Sequence, residues 1–360
     1  MPAIISVAKS ACVLFTGIAA VFSALQIDYP TAIANATATA TAIPTSSATF
    51  NTELQKSSRL TLKISQIRFS PDSKSLAVLS GDRHLSNWPV AGGNPTASTF
   101  IASIPLTCLE WTSTGESLYV GTSKSQVLFC DPKTLDINFR IHSENEIVHQ
   151  INNVGQPESL LSFGNSVNSL GKLIQGTPTL WHNDIHSSLK NIPDLHYTCM
   201  SRQQDTGLFA FGSSTGEIIL VDLFSNTEPI ILAKVESSID CLKWTGKNLI
   251  ATSEGTLHLI DSSKNQAIKS LQVSAKPIRH IEISNDEKTL FMAAGSETVQ
   301  VRDAVSGNII CKLASINEMV STIALSPDGK TLAVGTCQGH VTFWDTSDFQ
   351  IKSIIPAGIN

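Results

Sequence analysis

A short strand-like segment recurs along the chain at an almost constant interval. The segment TLAVGT, residues 331–336, has the counterparts SLAVLS, SLYVGT, SLLSFG, GLFAFG, NLIATS and TLFMAA. The leucine that these segments share stands at Leu76, Leu118, Leu160, Leu208, Leu249, Leu290 and Leu332, with spacings of 42, 42, 48, 41, 41 and 42 residues. Intervals this regular indicate a protein built from repeated structural units.

Each unit has the pattern of four short β-strands. In the last unit, the first strand VSTIALS is followed by SPDG, residues 326–329, where Pro and Gly fit the dihedral angles of a tight turn. The leucine-bearing second strand comes next, and then a third strand, HVTFWD, that closes on an aspartate. This closing aspartate recurs at Asp131, Asp222, Asp261, Asp303 and Asp345. A fourth strand, QIKSII, completes the unit, and seven such units fill residues 64–356.

The unit length and the strand count predict an all-β fold, a seven-bladed β-propeller of four-stranded antiparallel blades. A single four-stranded sheet would expose both of its apolar faces, whereas a ring of seven buries each face against a neighbour. We predict a propeller over residues 59–356, with blades that begin near residues 64, 105, 147, 196, 237, 277 and 319. Its last blade is completed by its own C-terminal strand, residues 350–355, and residues 59–63 are the rival for that place.

Several residues of these units resemble the WD-repeat β-propeller family, in a degenerate and exported form. They are the pair Trp344-Asp345, the tryptophans Trp88 and Trp181, and the closing aspartate of five units. The resemblance implies that the aspartate anchors the turn after the third strand, that the tryptophan packs in the blade, and that the protein is a binding scaffold. The family's Gly-His pair precedes the first strand, whereas Gly339-His340 lies between the second and third strands. Propellers with SPDG-type turns outside the strict family are similar as well.

The N-terminus has the order of a secretory signal. Lys9 precedes an uncharged apolar run over residues 11–27, and Ala-x-Ala sites follow within residues 32–36. We predict that residues 1–36 are a signal peptide or an N-terminal membrane anchor, because the apolar run is near the lower limit of a membrane span. Residues 37–58 are rich in Ala, Thr and Ser and are expected to form a flexible linker. The rest of the chain is therefore predicted to be exported: periplasmic, extracellular, or membrane-anchored and facing outward.

The charge balance argues against a nucleic-acid partner. The net charge is -5, the isoelectric point is near 6.0, and no run of Lys or Arg occurs, whereas nucleic-acid binding needs a clustered basic surface. The sequence also contains no nucleophile elbow, phosphate-binding loop, zinc-protease motif or calcium loop. These features predict a protein that is not an enzyme, holds no cofactor or metal, and binds an unidentified protein or peptide as a monomer.

One histidine-rich segment invites a metal interpretation. The segment WHNDIH, residues 181–186, supplies His182, Asp184 and His186, which are residue types that bind zinc. Alignment with the other units places His182 at the position of the closing aspartate, in the outer part of a blade. We therefore expect a structural role for the three residues.

The cysteines predict free thiols. Six of the seven cysteines would remain after signal cleavage, and Cys108, Cys199 and Cys241 hold the same place in the first strands of three units. Sheets of neighbouring blades stack ~10 Å apart, whereas a disulfide needs Cα atoms within roughly 7 Å. We therefore expect these thiols to fill small spaces in the core.

The third unit carries the largest local departure from the repeat. Its interval of 48 residues reflects about six extra residues within residues 167–176, VNSLGKLIQG, between the second and third strands. An insertion there lies on one rim of a propeller, where binding loops concentrate. We predict that a partner binds on this rim. The candidate rim residues are Asn168, Lys172, Glu144, Glu236, Glu254 and Glu297.

The alternative function is that of a propeller hydrolase or lactonase with a site at the mouth of the central channel. Such a site would bring together three or more carboxylates or Asn side chains from different blades. The two hypotheses therefore differ in a structural observable: whether acidic side chains of several blades converge in the channel.

Overall fold

A computed structural model describes residues 62–358, apart from residues 102, 143–146, 157–158, 168–172, 183–184, 190, 205, 226, 247, 263–265 and 315. The described residues belong to one compact unit, Leu60–Asn360. The predicted signal or anchor (1–36) and linker (37–58) lie outside the described residues. In the described part, no helix is long and apolar enough to cross a membrane.

The regular elements of the described residues are β-strands. The first two blades contain β1 (Ile64–Phe69), β2 (Ser75–Ser80), β3 (His84–Pro89), β4 (Ala97–Phe100), β5 (Leu106–Trp111), β6 (Leu118–Thr122), β7 (Gln126–Cys130) and β8 (Ile137–His142). The third blade contains β9 (Ile147–Asn153), β10 (Ser159–Val167), β11 (Leu173–Gln175), β12 (Thr179–His182) and β13 (Ile185–Ser188). The fourth and fifth blades contain β14 (Tyr197–Arg202), β15 (Leu208–Ser213), β16 (Glu217–Asp222), β17 (Ile230–Lys234), β18 (Cys241–Thr245), β19 (Asn248–Ser253), β20 (Thr256–Asp261) and β21 (Gln266–Gln272). The last two contain β22 (His280–Ile283), β23 (Thr289–Ala293), β24 (Thr298–Asp303), β25 (Ile309–Ala314), β26 (Val320–Leu325), β27 (Thr331–Thr336), β28 (Val341–Asp345) and β29 (Ile351–Ile355).

The strands form seven antiparallel sheets in which consecutive strands pair. We call the four repeated strands of a blade a, b, c and d in chain order. Six sheets have four strands, and the third has the additional strand β11, which pairs with the far end of its strand b, β10. This architecture confirms the predicted all-β fold and the seven four-stranded blades, with one extra strand at the predicted insertion.

The register of strands b and c identifies equivalent positions in the seven blades. In the seventh blade the template residue Leu332 lies opposite Trp344, one position before the closing aspartate. In the fourth blade Leu208 lies opposite the closing Asp222 itself, and Phe209 takes the template place. The assignment of Leu208 to the repeat is therefore wrong by one residue. Adjacent apolar residues hid the shift in the sequence, because Leu and Phe both suit a buried position of a strand.

The core is divided among seven seams, where seam 6/7 denotes the contact between the sixth and seventh blades. One cluster of buried apolar side chains fills each seam, and each cluster takes side chains from both blades. In seam 7/1, for example, Ile64 and Phe69 pack with Phe343 and Ile355. Burying one such side chain contributes about 1.5–3 kcal/mol, so each blade depends on its two neighbours for stability.

Polar contacts between neighbouring a strands reinforce six of the seams. Each contact involves a side chain of one a strand and an atom of the neighbouring a strand. The Leu109 N–H donates to Gln66 Oε1 (2.7 Å) in seam 1/2, Thr107 donates to the Val148 carbonyl in seam 2/3, Gln150 Nε2 donates to the Met200 carbonyl (2.8 Å) in seam 3/4, Trp244 Nε1 donates to the Ser201 carbonyl (3.1 Å) in seam 4/5, Lys243 pairs with Glu282 (2.6 Å) in seam 5/6, and Ser321 Oγ donates to the Ile64 carbonyl (2.6 Å) in seam 7/1.

The ring closes without exchange of strands between the chain ends. Strand β29 pairs with β28, so the last blade is completed by its own C-terminal strand, as predicted. The two ends then meet through backbone hydrogen bonds: the Leu62 N–H donates to the Gly358 carbonyl (2.6 Å), and the Gly358 N–H donates to the Gly339 carbonyl (2.7 Å). A Cβ atom on Gly358 would lie 2.0 Å from the Leu62 carbonyl oxygen. The closure therefore requires glycine at this position.

We expect the Gly358→Ala substitution to destabilise the protein by about 2 kcal/mol, because the new Cβ separates the chain ends and breaks their hydrogen bonds. Urea unfolding at neutral pH measures the change. Gly93→Ala is the control, since nothing lies within 4 Å of its added Cβ and only its φ of 109° opposes the substitution. A loss for Gly358→Ala no greater than that of the control would contradict this account of closure.

Candidate interaction surface

The direction of the strands divides the loops between two faces of the propeller. Because strands a to d alternate in direction, the b–c hairpins and the connections from strand d to the next strand a lie at one end of each sheet. The a–b turns and the c–d turns lie at the other end. We call these ends the hairpin face and the turn face. Of the predicted rim residues, Glu236, Glu254 and Glu297 belong to the hairpin face, and the closing aspartates belong to the turn face.

The closing aspartates hold the c–d turns of the turn face. Their carboxylates accept backbone hydrogen bonds from the residues that follow. The contacts are Asp131 with Lys133 (2.6 Å), Asp222 with Phe224 (3.0 Å), Asp303 with Ser306 (2.7 Å) and Asp345 with Ser347 (2.8 Å). The hydrogen bonds from Ser306 and Ser347 hold the pKa of Asp303 and Asp345 below the usual value. Asp261 has the same register position, opposite Asn248.

The a–b turns of the same face use a second carboxylate device. In the first blade, Ser70 Oγ donates to Asp72 Oδ1 (2.6 Å), and the backbone N–H of Lys74 donates to the same oxygen (3.1 Å). Ser326 and Asp328 repeat this contact at 2.6 Å in the seventh blade. These hydrogen bonds lower the pKa of Asp72 and Asp328. The acidic groups of the turn face are therefore engaged in holding its own turns.

The three predicted structural tryptophans occupy one register position but differ in their hydrogen bonds. Trp88 Nε1 donates to Ser86 Oγ (2.8 Å), two residues earlier on strand c. Trp181 Nε1 donates to Ser162 Oγ (3.0 Å) on the neighbouring strand b. Trp344 Nε1 is buried and has no hydrogen-bond partner among the described residues. All three side chains are buried, so each packs in a seam of the propeller.

The histidine-rich segment of the third blade lies where the repeat predicts. His182 takes the closing position, opposite Ser159, and its Nδ1 lies 2.6 Å from Ser159 Oγ. The ring of His186 packs against Trp181, with 4.7 Å between ring centroids. Asp184 lies outside the described residues. The described residues contain no group of three or more potential metal ligands.

Sequence reasoning missed a polar clamp that recurs in the b–c hairpins. The hydroxyl at the end of strand b contacts the polar residue that begins strand c four positions later. The pairs are Ser80 with His84 (2.9 Å), Thr122 with Gln126 (3.1 Å), Ser213 with Glu217 (2.8 Å) and Thr336 with His340 (3.0 Å). The clamp has a signal in the sequence, since a Ser or Thr precedes a polar residue by four positions in each of these units.

Two of the clamps extend to a further side chain. In the seventh blade, His340 Nδ1 lies within hydrogen-bond distance, 2.9 Å, of the Glu318 carboxylate in the preceding d–a connection. In the fourth blade, Glu217 pairs with Lys234 at 2.6 Å, and the hydrogen bonds from Lys234, Thr215 and Ser213 lower the pKa of Glu217 to about 2. Glu318 and Glu217 thus hold the hairpin face together and are not free for a partner.

The described members of the predicted acidic rim are exposed. Glu236 follows strand d of the fourth blade, and Glu254 and Glu297 lie in the b–c hairpins of the fifth and sixth blades. Among the described residues none of the three forms an ion pair with a basic side chain. Beside them, Asp240 accepts a hydrogen bond from the Glu254 N–H (2.9 Å), and burial raises the pKa of Asp240, with a further contribution from the Glu254 carboxylate. Asn168, Lys172 and Glu144 lie outside the described residues.

The hairpin of the third blade is longer than the other b–c hairpins. Strand β10 continues to Val167, and its residues Asn165, Ser166 and Val167 pair with β11 instead of with strand c. At ~3.3 Å per residue, this extension adds about 10 Å of paired strand to the hairpin face. Ile174 of β11 is 44% exposed, so this hairpin has a large apolar side chain in contact with solvent.

The a strands place one layer of polar side chains along the central channel. Arg68 (blade 1) pairs with Glu110 (blade 2) at 3.3 Å, and Lys243 (blade 5) pairs with Glu282 (blade 6) at 2.6 Å. Burial raises the pKa of Glu110, and the Arg68 guanidinium opposes that effect. Each of these two carboxylates thus has its own cation from a neighbouring blade. These contacts give no support to the hydrolase alternative, which needs acidic groups of several blades to converge.

The described cysteines are six free thiols in the strands and loops of the propeller: Cys108, Cys130, Cys199, Cys241, Cys311 and Cys337. Burial raises the pKa of Cys108 and Cys130 to about 12 and that of Cys241 to about 11. At neutral pH these thiols are protonated, and a protonated buried thiol packs as a small apolar group.

We expect Glu217→Gln to destabilise the protein by about 1 kcal/mol at pH 7, because the substitution removes the charge that pairs with Lys234. The pKa of Glu217 is about 2 in the folded state, below its ordinary value of 4.5, so its stabilisation is present above pH 4.5 and is lost as the pH falls towards 2. Urea unfolding of both proteins at pH 7 and pH 3 measures the change. Glu297→Gln is the control. An equal difference between wild type and Glu217→Gln at both pH values would contradict the assignment.

Comparisons with known proteins agree with the architecture. The family model described as "WD domain, G-beta repeat" matches residues 310–345, which end at the closing aspartate of the seventh blade. A relative, the guanine nucleotide-binding protein subunit beta of Schizosaccharomyces pombe, is 34% identical over 74 residues, which is 21% of this chain and 24% of that protein. The chain thus matches about a quarter of the length of this relative. With seven four-stranded blades and a matching repeat in the last of them, the chain is a seven-bladed β-propeller that is similar to the WD-repeat family.

Proposed function

We propose that this protein is an exported, non-enzymatic propeller that binds a protein or peptide partner on its hairpin face. WD-repeat propellers are a family of protein-interaction scaffolds, and the family supports the general part of this proposal. The choice of face and the exported location are further steps, and each rests on its own observation.

The long hairpin of the third blade is the reason for placing the partner on the hairpin face. It is the one b–c hairpin of the described chain with an additional strand. The exposed Ile174 lies on this strand, within the about 10 Å of paired strand that the other b–c hairpins lack. Loops that depart from a repeat while the scaffold stays constant are the usual binding elements of repeat proteins. An exposed apolar side chain on a paired strand also suits the anchor of an interface.

The two faces differ in the number of free polar groups. On the turn face, the carboxylates of Asp72, Asp303, Asp328 and Asp345 are hydrogen-bonded within their own turns. On the hairpin face, the exposed Glu236, Glu254 and Glu297 form no ion pair within the described residues. A partner with basic side chains near blades 4 to 6 would gain charge complementarity there, and this would speed association more than it would tighten binding.

The exported location rests on the sequence of residues 1–36, which have the order of a secretory signal. N-terminal sequencing of the protein from the exported fraction tests this part of the proposal. A new N-terminus within residues 32–37 is expected for a cleaved signal, and an intact N-terminus in the membrane fraction for an anchor. Recovery of the full-length chain in the soluble cytoplasmic fraction would contradict export.

We expect Ile174→Asp to reduce partner capture at least about tenfold, since a charge at the centre of an apolar contact costs more than 1.4 kcal/mol. The assay is affinity capture from the exported fraction with quantitative mass spectrometry. The matched control is Ile185→Asp, at an isoleucine of the same blade that is 75% exposed on strand d. Equal capture by wild type and both variants would remove the long hairpin from the binding surface.

We expect the combined substitution of Glu236, Glu254 and Glu297 by Gln to slow association with the captured partner by about threefold to tenfold at low salt, with a smaller effect on dissociation. Surface plasmon resonance at two ionic strengths separates the two rates. The control is Asp72→Asn combined with Asp286→Asn on the turn face. An association rate that responds equally to both sets of substitutions would show that the acidic rim has no specific role.

A further inference from the structure

One seam of the propeller lacks the reinforcement that the other six share. Strands β22 and β26 are the a strands of seam 6/7, and no hydrogen bond or ion pair joins the described residues of one to those of the other. The hydrogen bonds that do cross this seam lie at its two ends. The Val320 N–H donates to the Ser296 carbonyl (2.9 Å) on the hairpin face, and Asn285 Nδ2 donates to the Pro327 carbonyl (2.9 Å) on the turn face.

The same seam contains three buried polar atoms without partners. His340, Thr342 and Trp344 alternate along β28, so they share the face of the strand that packs on the sixth blade, where Trp344 belongs to the apolar cluster of seam 6/7. His340 Nε2, Thr342 Oγ1 and Trp344 Nε1 have no hydrogen-bond partner among the described residues. Each residue is more than nine-tenths buried. An unpaired buried polar group costs about 1–3 kcal/mol.

Equivalent positions in other blades show what seam 6/7 is missing. In the third blade, Trp181 donates to Ser162, but the residue equivalent to Ser162 in the seventh blade is Val334. In the first blade, His84 Nε2 contacts Ser98 Oγ at 2.9 Å, whereas the seventh blade has Ile354 at the place of Ser98. The scaffold can therefore pair these groups. The seventh blade lacks the hydroxyls equivalent to those of Ser162 and Ser98, whereas Thr342 stands at the place of Ser86 but does not pair with Trp344.

Seam 6/7 also carries a cleft on the turn face. Its volume is about 260 Å³, and it lies between the a–b turns of the sixth and seventh blades. Phe291, which belongs to the apolar cluster of the seam, lines this cleft together with Asp286, Asp328 and Thr346. The cleft therefore ends against the apolar cluster of this seam.

We infer that seam 6/7 is the joint at which the propeller opens locally. Opening exposes the three unpaired groups to water, so it recovers hydrogen bonds that the closed seam lacks, and it breaks no hydrogen bond or ion pair between the described a strands. The other six seams lose at least one hydrogen bond or ion pair between a strands when they open. The closure seam 7/1 also buries two unpaired hydroxyls, Thr322 Oγ1 and Ser353 Oγ, but the hydrogen bonds of Ser321 and of the chain ends hold it closed. The ring thus has one flexible joint between its last two blades.

Native-state thiol labelling tests this inference. Val334→Cys places a thiol in the cluster of seam 6/7, and Val78→Cys places one at the equivalent position in seam 7/1; both valines are fully buried. Peptide-resolved mass spectrometry separates each new thiol from the native ones. We expect Val334→Cys to be labelled at least about tenfold faster than Val78→Cys. Equal rates, or faster labelling of Val78→Cys, would overturn the inference.

A second pair of variants tests whether the unpaired Trp344 N–H weakens seam 6/7. This pair also tests the inference if either cysteine variant misfolds. Val334→Ser supplies the acceptor that Trp344 lacks, whereas Val78→Ser adds a hydroxyl beside Trp88, which already donates to Ser86. Both variants carry the same loss of apolar contact. We expect Val78→Ser to raise the unfolding equilibrium constant about tenfold more than Val334→Ser. Equal increases would show that the Trp344 N–H is not unpaired in solution, and the inference would fail.

Discussion

The burial of sheet against sheet at the seams is the interaction on which the rest of this structure depends. No blade has a core of its own, since each apolar cluster takes its side chains from two neighbouring blades. The template leucine and the tryptophan of strand c are the large side chains that face these seams. The closing aspartate and the SPDG-type turn have a different task, because they fix the chain reversals that hold the strands in register. Both sets of residues build the scaffold, which is why they recur.

We therefore expect partner contacts at the positions that do not recur. The c–d and a–b turns of the turn face use their carboxylates internally, whereas the hairpin face carries an additional strand in one blade and exposed acids in three connections. A rigid disc with constant turns and variable hairpins suits recognition by surface complementarity, and it needs no catalytic group. The charged residues of the channel support this assignment, because Arg68 with Glu110 and Lys243 with Glu282 form closed pairs between blades.

The architecture could be predicted from the sequence because the spacing of the repeated leucine reflects the spacing of the blades. Six intervals of 41 to 48 residues predicted the blades and the position of the extra residues, and the strand-like pattern of residues 350–355 predicted the self-completed last blade. Leu208 shows the limit of this reasoning. The neighbouring Phe209 suits the same buried position of the strand, and the assignment of Leu208 was wrong by one residue. The hydrogen bonds of the three tryptophans show a second limit. Whether Trp344 finds an acceptor depends on Val334 of the neighbouring strand, and this pairing follows from the register and not from the motif.

The hairpin clamps were missed for a related reason. Ser80 with His84 and Thr336 with His340 are separated by four positions, and this recurring signal becomes informative only once the hairpins are known. The candidate binding surface was predictable only as a location, because an insertion of about six residues indicates a longer loop but not its pairing with β10. The individual contacts of a partner depend on side chains that face outward, and the folding of the scaffold places no constraint on them.

Cross-linking of the protein to its captured partner, with a lysine-reactive reagent and mass spectrometry, tests the central claim most directly. Exposed lysines report on both faces: Lys124 and Lys276 lie on the hairpin face, and Lys74 and Lys288 lie on the turn face. The account predicts partner cross-links at the lysines of the hairpin face and few or none at those of the turn face. Partner cross-links concentrated at Lys74 and Lys288 would contradict it.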